Sequence, residues 1–259
     1  MCVLLVLDRM SDRWPLVVAA NRDEVYDRPG LPPEWERSRH EGFPDPGGEM
    51  VPYIAPRDPR AGGTWLGLTR GGLFVALTNR QKRPGAPAER SRGLLCRDAL
   101  ATGTLEAARR HLTAEVKRRR YDPFNLLVAD GRASFVLHFD GAVRLQDLGP
   151  GRHVLINDHD VGEESLQGLE ADLLQPILRG LDHSPDELIA SLLEALRDDH
   201  PRLPGGESIC KKGEVKGTMS ATIVLVHQDG MEHSRLLHAN GSPRTTELLE
   251  IPLGPGENP

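Results

Sequence analysis

FNLLVADGRASFVLHFDGAVRLQDL, residues 124–148, decides the fold. Three apolar-rich runs, Phe124–Ala129, Ser134–Phe139 and Ala142–Leu148, are separated by Asp130-Gly131 and Asp140-Gly141. Asp-Gly supplies the positive φ that a tight hairpin turn requires, so the chain reverses twice within this stretch. Such reversals build antiparallel sheet, because a parallel neighbour needs a crossover of about a dozen residues or more.

Moving toward the N-terminus, Arg92–Arg120 places Leu94, Leu95, Ala99, Leu100 and then Leu105, Ala108, Leu112, Val116 at helical spacing, with Gly103 dividing two helices. Before them, Thr64–Leu68 and Leu73–Asn79 flank Arg70-Gly71-Gly72 as a hairpin. Residues 27–63 hold Pro29, Pro32, Pro33, Pro44, Pro46, Pro52, Pro56 and Pro59, which predicts a long irregular segment anchored by Trp35, Phe43 and Tyr53. The chain opens with two short apolar runs, residues 2–7 and 16–20, read as buried strands around the polar loop Asp8–Pro15.

Toward the C-terminus, His153–Asn157 reads as a strand. Helices follow at about 163–180 and 185–198, the second marked by Ser184 at N-cap, Pro185 at N1 and Glu187 at N3. After a loop at Asp199–Gly217, strands are expected at Thr218–His227, Met231–Ala239 and Thr245–Ile251, with Asp229-Gly230 as a turn. Helices thus come in pairs and strands in hairpins, where a doubly wound sheet would alternate them singly. The expectation is an α+β fold with two mainly antiparallel sheets, each covered on one face by a helix pair, in a single domain over 1–259.

Composition narrows the function classes. The 259 residues are 38% hydrophobic, enough for a substantial core, and 32 Lys plus Arg against 38 Asp plus Glu leave a net charge of −6. No basic excess draws the chain to nucleic acid or to an anionic membrane surface. An integral membrane segment is not expected, since crossing a bilayer takes about 20 predominantly apolar residues, and Val3–Leu7 lacks the lead-in and length of a secretion signal. A cytoplasmic protein is the reading. Three cysteines, Cys2, Cys96 and Cys210, contain no CxxC pair, which argues against a disulfide scaffold or a thiolate zinc site.

Cys2 is the most informative residue. Initiator methionine is commonly removed before a small second residue, and removal of Met1 would put a thiol on the residue that bears a free α-amine. With reference pKa values of about 8.5 for the thiol and about 7.7–8.0 for the amine, the amine can take the thiol proton with little mismatch. The plainer alternative is a small buried hydrophobe at the head of a core strand. Ala19-Ala20-Asn21-Arg22-Asp23-Glu24 ends the second strand in four polar side chains, and alternation places Asn21 and Asp23 on one face and Arg22 and Glu24 on the other. Asp23 beside an ammonium would orient it, and Arg22 near a thiol would favour the thiolate; a solvated turn with an Arg–Asp surface pair is the alternative. Asn79 and Asn157 also end apolar strands. Uncharged amides there suit either a turn or an oxyanion site.

Taken together, Met1-Cys2, residues 19–24, Arg28-Pro29, Gly62-Gly63-Thr64-Trp65-Leu66-Gly67, Ala76-Leu77-Thr78-Asn79, Phe124-Asn125-Leu126-Leu127 and Asn157 resemble the NRDE family, whose eukaryotic members are the Transport and Golgi organization 2 proteins. The resemblance runs through most of the chain in order. It implies an N-terminal-nucleophile hydrolase-like, four-layer αββα sandwich, and it invites comparison with the choloylglycine hydrolase and penicillin V acylase amidases. By that comparison Cys2 would be the nucleophile, Asp23 would orient the α-amine, and Asn79 and Asn157 would help bind the oxyanion. Two charged positions depart from the pattern. Those amidases carry an Arg three positions before the Asp, where Ala20 stands, so Arg22 is displaced to the neighbouring position. They also use a later Arg, and Thr218-Met219-Ser220 has Met219 where relatives resemble Thr-Arg-Ser.

Other signals read as structural. Asp158-His159-Asp160 with His153 has no metal-ligand spacing to a partner cluster, so no metal is expected. Lys117-Arg118-Arg119-Arg120 sits at a helix C-terminus, where cations offset the macrodipole. Gly62-Gly63 and Gly67 are read as letting a strand approach the nucleophile strand closely. Two functions are carried forward. One is a cysteine hydrolase of a small linear amide or thioester, needing no cofactor, with an acyl pocket walled by the segment Asp27–Gly63. The other is a non-catalytic carrier of a small amphipathic molecule such as haem or an acyl-coenzyme A.

Overall fold

The computed structural model describes residues 2–38, 50–82, 85–178, 180–181 and 184–254. Along the chain lie β1 (Val3–Asp8), β2 (Leu16–Val25), β3 (Leu31–Ser38), β4 (Val51–Arg57), β5 (Leu66–Thr69), β6 (Phe74–Asn79), α1 (Arg92–Ala101) and α2 (Leu105–Arg118). Next come β7 (Phe124–Ala129), β8 (Ser134–Phe139), β9 (Val143–Leu148), β10 (Gly151–Ile156), α3 (Glu164–Leu178) and α4 (Pro185–Arg197). The described chain closes with β11 (Lys216–Val226), a 3-10 turn at Met231–His233, β12 (Arg235–Ala239) and β13 (Leu249–Ile251). The chain divides into two compact units, one comprising the residues up to Gly30 together with those from Gly149, the other Leu31–Leu148.

In the first unit, six antiparallel strands run in the order β10-β1-β2-β11-β12-β13. Strand alternation gives one face Val3, Leu5 and Leu7 of β1, Val17 and Ala19 of β2, and Ile223 and Leu225 of β11. These pack with Leu173, Leu174 and Ile177 of α3 and Leu188, Leu192 and Leu196 of α4. Each fully buried aliphatic side chain contributes about 1.5–3 kcal/mol, which is why this pattern fixes which face the helices cover. The start of α4 is as expected: Ser184 Oγ accepts from the Glu187 N–H, with Pro185 opening the first turn.

The second strand is longer than its apolar core suggested. β2 continues through Asn21–Val25 because β11 pairs with it along its whole length, from Lys216↔Val25 to Val226↔Leu16. The one irregularity is a bulge: Thr218 faces Asp23 and Ser220 faces Arg22, leaving Met219 as the extra residue.

The second unit is a seven-strand antiparallel meander, β3 through β9 in chain order. Gly131 (φ 76°) and Gly141 (φ 104°) turn β7–β8 and β8–β9. Val75 and Leu77 of β6, Leu126 and Val128 of β7, and Phe135 and Leu137 of β8 share a cluster with Leu95 and Leu100 of α1 and Leu112 and Val116 of α2. Ser91 and Thr104 cap those helices through hydroxyls that accept from the Gly93 and Ala107 N–H groups.

Three expectations are corrected here. Residues 27–63 are not irregular throughout, since β3 and β4 pair as a hairpin. The prolines fit because β3 is an edge strand and its register shifts between Leu31 and Glu34, which places Pro32 and Pro33 where no ladder N–H is needed. Phe43 lies outside the described residues. Gly63 and Gly67 serve α1 and not the nucleophile strand: a Cβ on Gly63 would lie 2.2 Å from the Gly93 carbonyl carbon, and one on Gly67 would lie 2.5 Å from Leu100 Cδ1. At the C-terminal end, Met231–His233 is a 3-10 turn. Ser242 O accepts from the Thr245 and Thr246 N–H groups, which holds that stretch as a turn and leaves β13 only Leu249–Ile251. Among the described residues no helix is long and apolar enough to cross a membrane.

Candidate active site

Cys2 stands one residue ahead of β1, which lies between β10 and β2. Val3 pairs with Ile156 on one side and with Asn21 on the other. The next step in each register brings Asn157 and Arg22 beside Cys2. The Cys2 N–H donates to Asn157 Oδ1 at 2.8 Å. With its oxygen so engaged, the Asn157 side chain turns its amide nitrogen, a donor, to the other side of the same group. Cys2 is 7% exposed.

Burial pushes the Cys2 thiol above its ordinary value, and the nearby Asp23 carboxylate adds to the rise; the Asp23 backbone N–H and the Arg22 guanidinium work the other way. Burial also raises the Asp23 carboxyl, opposed by a hydrogen bond from Thr218 and by the Lys211 ammonium. Those partners are also bonded to one another. Thr218 Oγ1 donates to Asp23 Oδ1 at 2.7 Å and accepts from the Lys211 N–H at 2.8 Å, while Lys211 Nζ lies 3.8 Å from Asp23 Oδ2 and also pairs with Glu207. On the two sides of the bulge at Met219, Thr218 faces Asp23 and Ser220 faces Arg22.

Arg22 is buried and is not part of a solvated turn. Its two terminal nitrogens each donate to Arg28 O at 3.3 Å, and Glu24 Oε2 lies 3.6 Å away. Asn21 turns to the helix side, where Nδ2 donates to Leu196 O and Ile209 O at 2.8 and 3.0 Å, tying β2 to the end of α4.

Cys2, Arg22, Asp23 and Asn157 therefore share one unit, and Asn79 belongs to the other. Asn79 ends β6 opposite Phe124. In the antiparallel ladder the Arg80 N–H donates to Pro123 O, beside β7, and the Leu77 N–H donates to Trp65 O, on the β5 side. Alternation places the Asn79 N–H on the Leu77 side, directed away from β7.

Sequence reading missed Thr218 and Lys211. Thr218 adjoins the Met219 position that drew notice for its missing charge. Lys211 is one of many cations in a loop and carries no local signal. The aromatics expected to wall a pocket are engaged otherwise: Tyr53 lies in the helix-side cluster with its hydroxyl donating to Glu36, and Arg70 stacks over the Trp35 ring at 4.9 Å. His159 pairs with Glu163. Among the described residues, Asp198, Asp199 and His200 form a three-residue group of possible metal ligands, and Arg202 and Arg244 already pair with its carboxylates.

Known proteins share the sequence pattern and the fold. The sequence profile of the Transport and Golgi organisation 2 family matches residues 1–236. Over 243 residues the chain is 27% identical to the Transport and Golgi organization protein 2 homolog of Bos taurus and 28% identical to that of Homo sapiens, covering 85% of each chain. Penicillin V acylase from Agrobacterium tumefaciens superposes with a TM-score of 0.60 at 14% identity, covering 98% of this chain and 87% of the acylase. An arginine-to-leucine variant of conjugated bile acid hydrolase from Clostridium perfringens gives 0.56 at 11% identity, covering 99% and 94%. The fold is that of the N-terminal-nucleophile hydrolases, α+β with two antiparallel sheets and four helices.

Proposed function

Because the chain belongs to the Transport and Golgi organisation 2 family and has the fold of N-terminal-nucleophile hydrolases, we propose that it is a cysteine hydrolase acting on a small linear amide or thioester through Cys2. One observation supports this most: the Cys2 nitrogen donates to Asn157 Oδ1 while Asp23 and Arg22 both act electrostatically on the Cys2 thiol. A buried hydrophobe would need none of these polar neighbours.

The chemistry requires that Met1 be removed, so that the Cys2 nitrogen becomes an amine. That amine accepts the proton from Sγ, and the thiolate attacks the substrate carbonyl carbon, forming a C–S bond as the carbonyl electron pair moves to oxygen. Asn157 Nδ2 donates to the oxyanion. Collapse breaks the bond to the leaving nitrogen or sulfur, which takes the proton back from the ammonium. Water, deprotonated by the same amine, then attacks the acyl-thioester, and loss of the thiolate releases the acid and restores Cys2. Asp23 holds the ammonium in line, and Thr218 with Lys211 holds Asp23. Burial raises the thiol, so a base within the same residue is what makes the thiolate accessible near neutral pH.

The test is acylation by an activated thioester, followed by intact mass. Loss of Met1 and one added acyl group in the wild type, with none in Cys2→Ala, is the expected result; equal labelling in Cys2→Ala rejects the role. A second reading, a carrier of an acyl-coenzyme A or haem-type ligand without turnover, is favoured by the raised thiol and by Met219 in place of a cation. Saturable binding of a long-chain acyl-coenzyme A or haem, without product and independent of Cys2, would favour it over the hydrolase.

A further inference from the structure

The loop between α4 and β11 is tied down residue by residue where it reaches Asp23. Asn21 Nδ2, on β2, donates to Ile209 O at 3.0 Å. The Cys210 N–H donates to Asp198 O at 2.8 Å, just past the end of α4. Lys211 is bonded twice to Thr218: its N–H donates to Thr218 Oγ1 at 2.8 Å, and its carbonyl accepts from the Thr218 N–H at 3.0 Å. Thr218 Oγ1 in turn donates to Asp23 Oδ1 at 2.7 Å. Main-chain bonds thus fix where the Lys211 side chain starts, and its ammonium stands 3.8 Å from Asp23 Oδ2. Every residue of this set belongs to the same compact unit as Cys2.

The Lys211 side chain is 13% exposed and that of Asp23 1%, while Glu207, the other partner of the ammonium, is 36% exposed. A lysine serving Glu207 alone could pair with it in solvent. Drawing the ammonium inward costs solvation that a neutral side chain would not lose. Asp23 acts on the Cys2 thiol at the head of β1, and it is met by Thr218 from β11 and by Lys211 from the loop. Arg22, its neighbour on β2, donates to Arg28 O and lies near Glu24. With the Cys2 amine uncharged, Asp23, Glu207 and Lys211 carry one net negative charge. Without Lys211 they would carry two, one of them on a buried carboxylate. Like charge and burial both favour a proton on Asp23, and a protonated Asp23 no longer stabilises the ammonium that Cys2 must form. We propose that Lys211 is a positioning residue acting through Asp23: its ammonium is the standing counter-charge that keeps Asp23 a carboxylate in both forms of the Cys2 amine. The amine, and not Asp23, then takes the thiol proton. This rests on the hydrolase reading above.

The test follows Asp23 and Cys2 separately in the full chain. The carboxyl carbon resonance of Asp23, assigned by its loss in Asp23→Asn, is titrated in the wild type, Lys211→Met and Lys211→Arg. The pH dependence of kcat/KM for an activated thioester is measured on the same proteins. Methionine keeps the unbranched side chain and both main-chain bonds to Thr218 but carries no charge. In Lys211→Met the Asp23 midpoint should rise by at least about one pH unit, and the acid limb of the acylation profile should move up as well. Lys211→Arg, which restores a cation, should return both toward their wild-type positions. In the Asp23→Asn background, Lys211→Met should move the acid limb far less. An unmoved Asp23 midpoint in Lys211→Met, or an equal rise in Lys211→Arg, overturns the proposal. A risen midpoint with an unmoved acid limb, or an acid limb that moves equally in the Asp23→Asn background, overturns action through Asp23. A wild type that is never acylated rejects the hydrolase reading, and the Asp23 titration then decides the counter-charge alone. Should Lys211→Met fail to fold, Lys211→Gln, neutral and still able to donate, gives the same decision.

Discussion

The Cys2 N–H donates to Asn157 Oδ1 at 2.8 Å, joining residues 155 positions apart in the chain. The bond closes the β1–β10 ladder one step beyond Val3↔Ile156, and under the proposed hydrolase reading it gives Asn157 two separable tasks, accepting at the Cys2 nitrogen and donating to the substrate.

Asn157→Asp separates them. The carboxylate still accepts from the Cys2 nitrogen but has no N–H to offer. Acylation by an activated thioester should slow by about 10²–10³, the usual cost of one oxyanion donor, while the thermal midpoint stays close to the wild type. An unaltered rate would remove Asn157 from the oxyanion site.

Asp23→Asn should exchange activity for stability. The folded protein holds the Asp23 carboxyl above its ordinary 3.8 because the group is buried. The folded state therefore keeps that proton longer than the unfolded chain does, and stability falls as pH rises from the unfolded value through the folded one. The neutral amide has nothing to ionise. Asn at 23 should melt higher than the wild type at pH 7, with the gap closing by pH 3, and should acylate at least about tenfold more slowly. Calorimetry at the two pH values checks the sign.

His238 should make the protein acid-sensitive. Burial lowers its pKa from 6.5 to about 4, and its Nδ1 lies 2.9 Å from Thr222 Oγ1. The unfolded chain takes up this proton first, so stability is complete above pH 6.5 and declines as pH falls toward 4, by an amount on the order of 3 kcal/mol. His238→Asn, which keeps a polar partner for Thr222, should flatten the decline in urea titrations run between pH 7 and 4.

Gly63 and Gly67 should respond unequally to alanine. At Gly63 the new Cβ meets backbone of α1, 2.2 Å from Gly93 C and 2.5 Å from Leu94 N, whereas at Gly67 the closest atom is the end of the Leu100 side chain. Backbone cannot step aside as a rotamer can. Gly63→Ala should cost about 3 kcal/mol and Gly67→Ala about 1 kcal/mol or less, read as denaturant midpoints.

What the sequence made legible follows from the range of each cause. Hairpins at Asp130-Gly131 and Asp140-Gly141, the Ser184 cap and the helix pairs are decided within a few residues, and they form as expected. The family likeness was likewise readable in strings such as residues 19–24. The β3–β4 hairpin was hidden because Pro32 and Pro33 read as breakers until an edge position and a register shift make room for them. The extension of β2 through Asn21–Val25 depends on β11, some 190 residues later, and so does the Thr218–Asp23 contact. Nothing near Lys211 signals that it faces a buried carboxylate. Long-range pairing chose those partners.

Met219 occupies a place the ladder could do without. Removing it would leave Thr218 opposite Asp23 and Ser220 opposite Arg22 in unbroken succession, so the added residue changes no pairing on either side of it. Such a site can swap side chains of different length and charge while the sheet keeps its alignment, which makes it an adjustable position between the residues that face Asp23 and Arg22. Side-chain divergence among related chains should concentrate there before it reaches the strands.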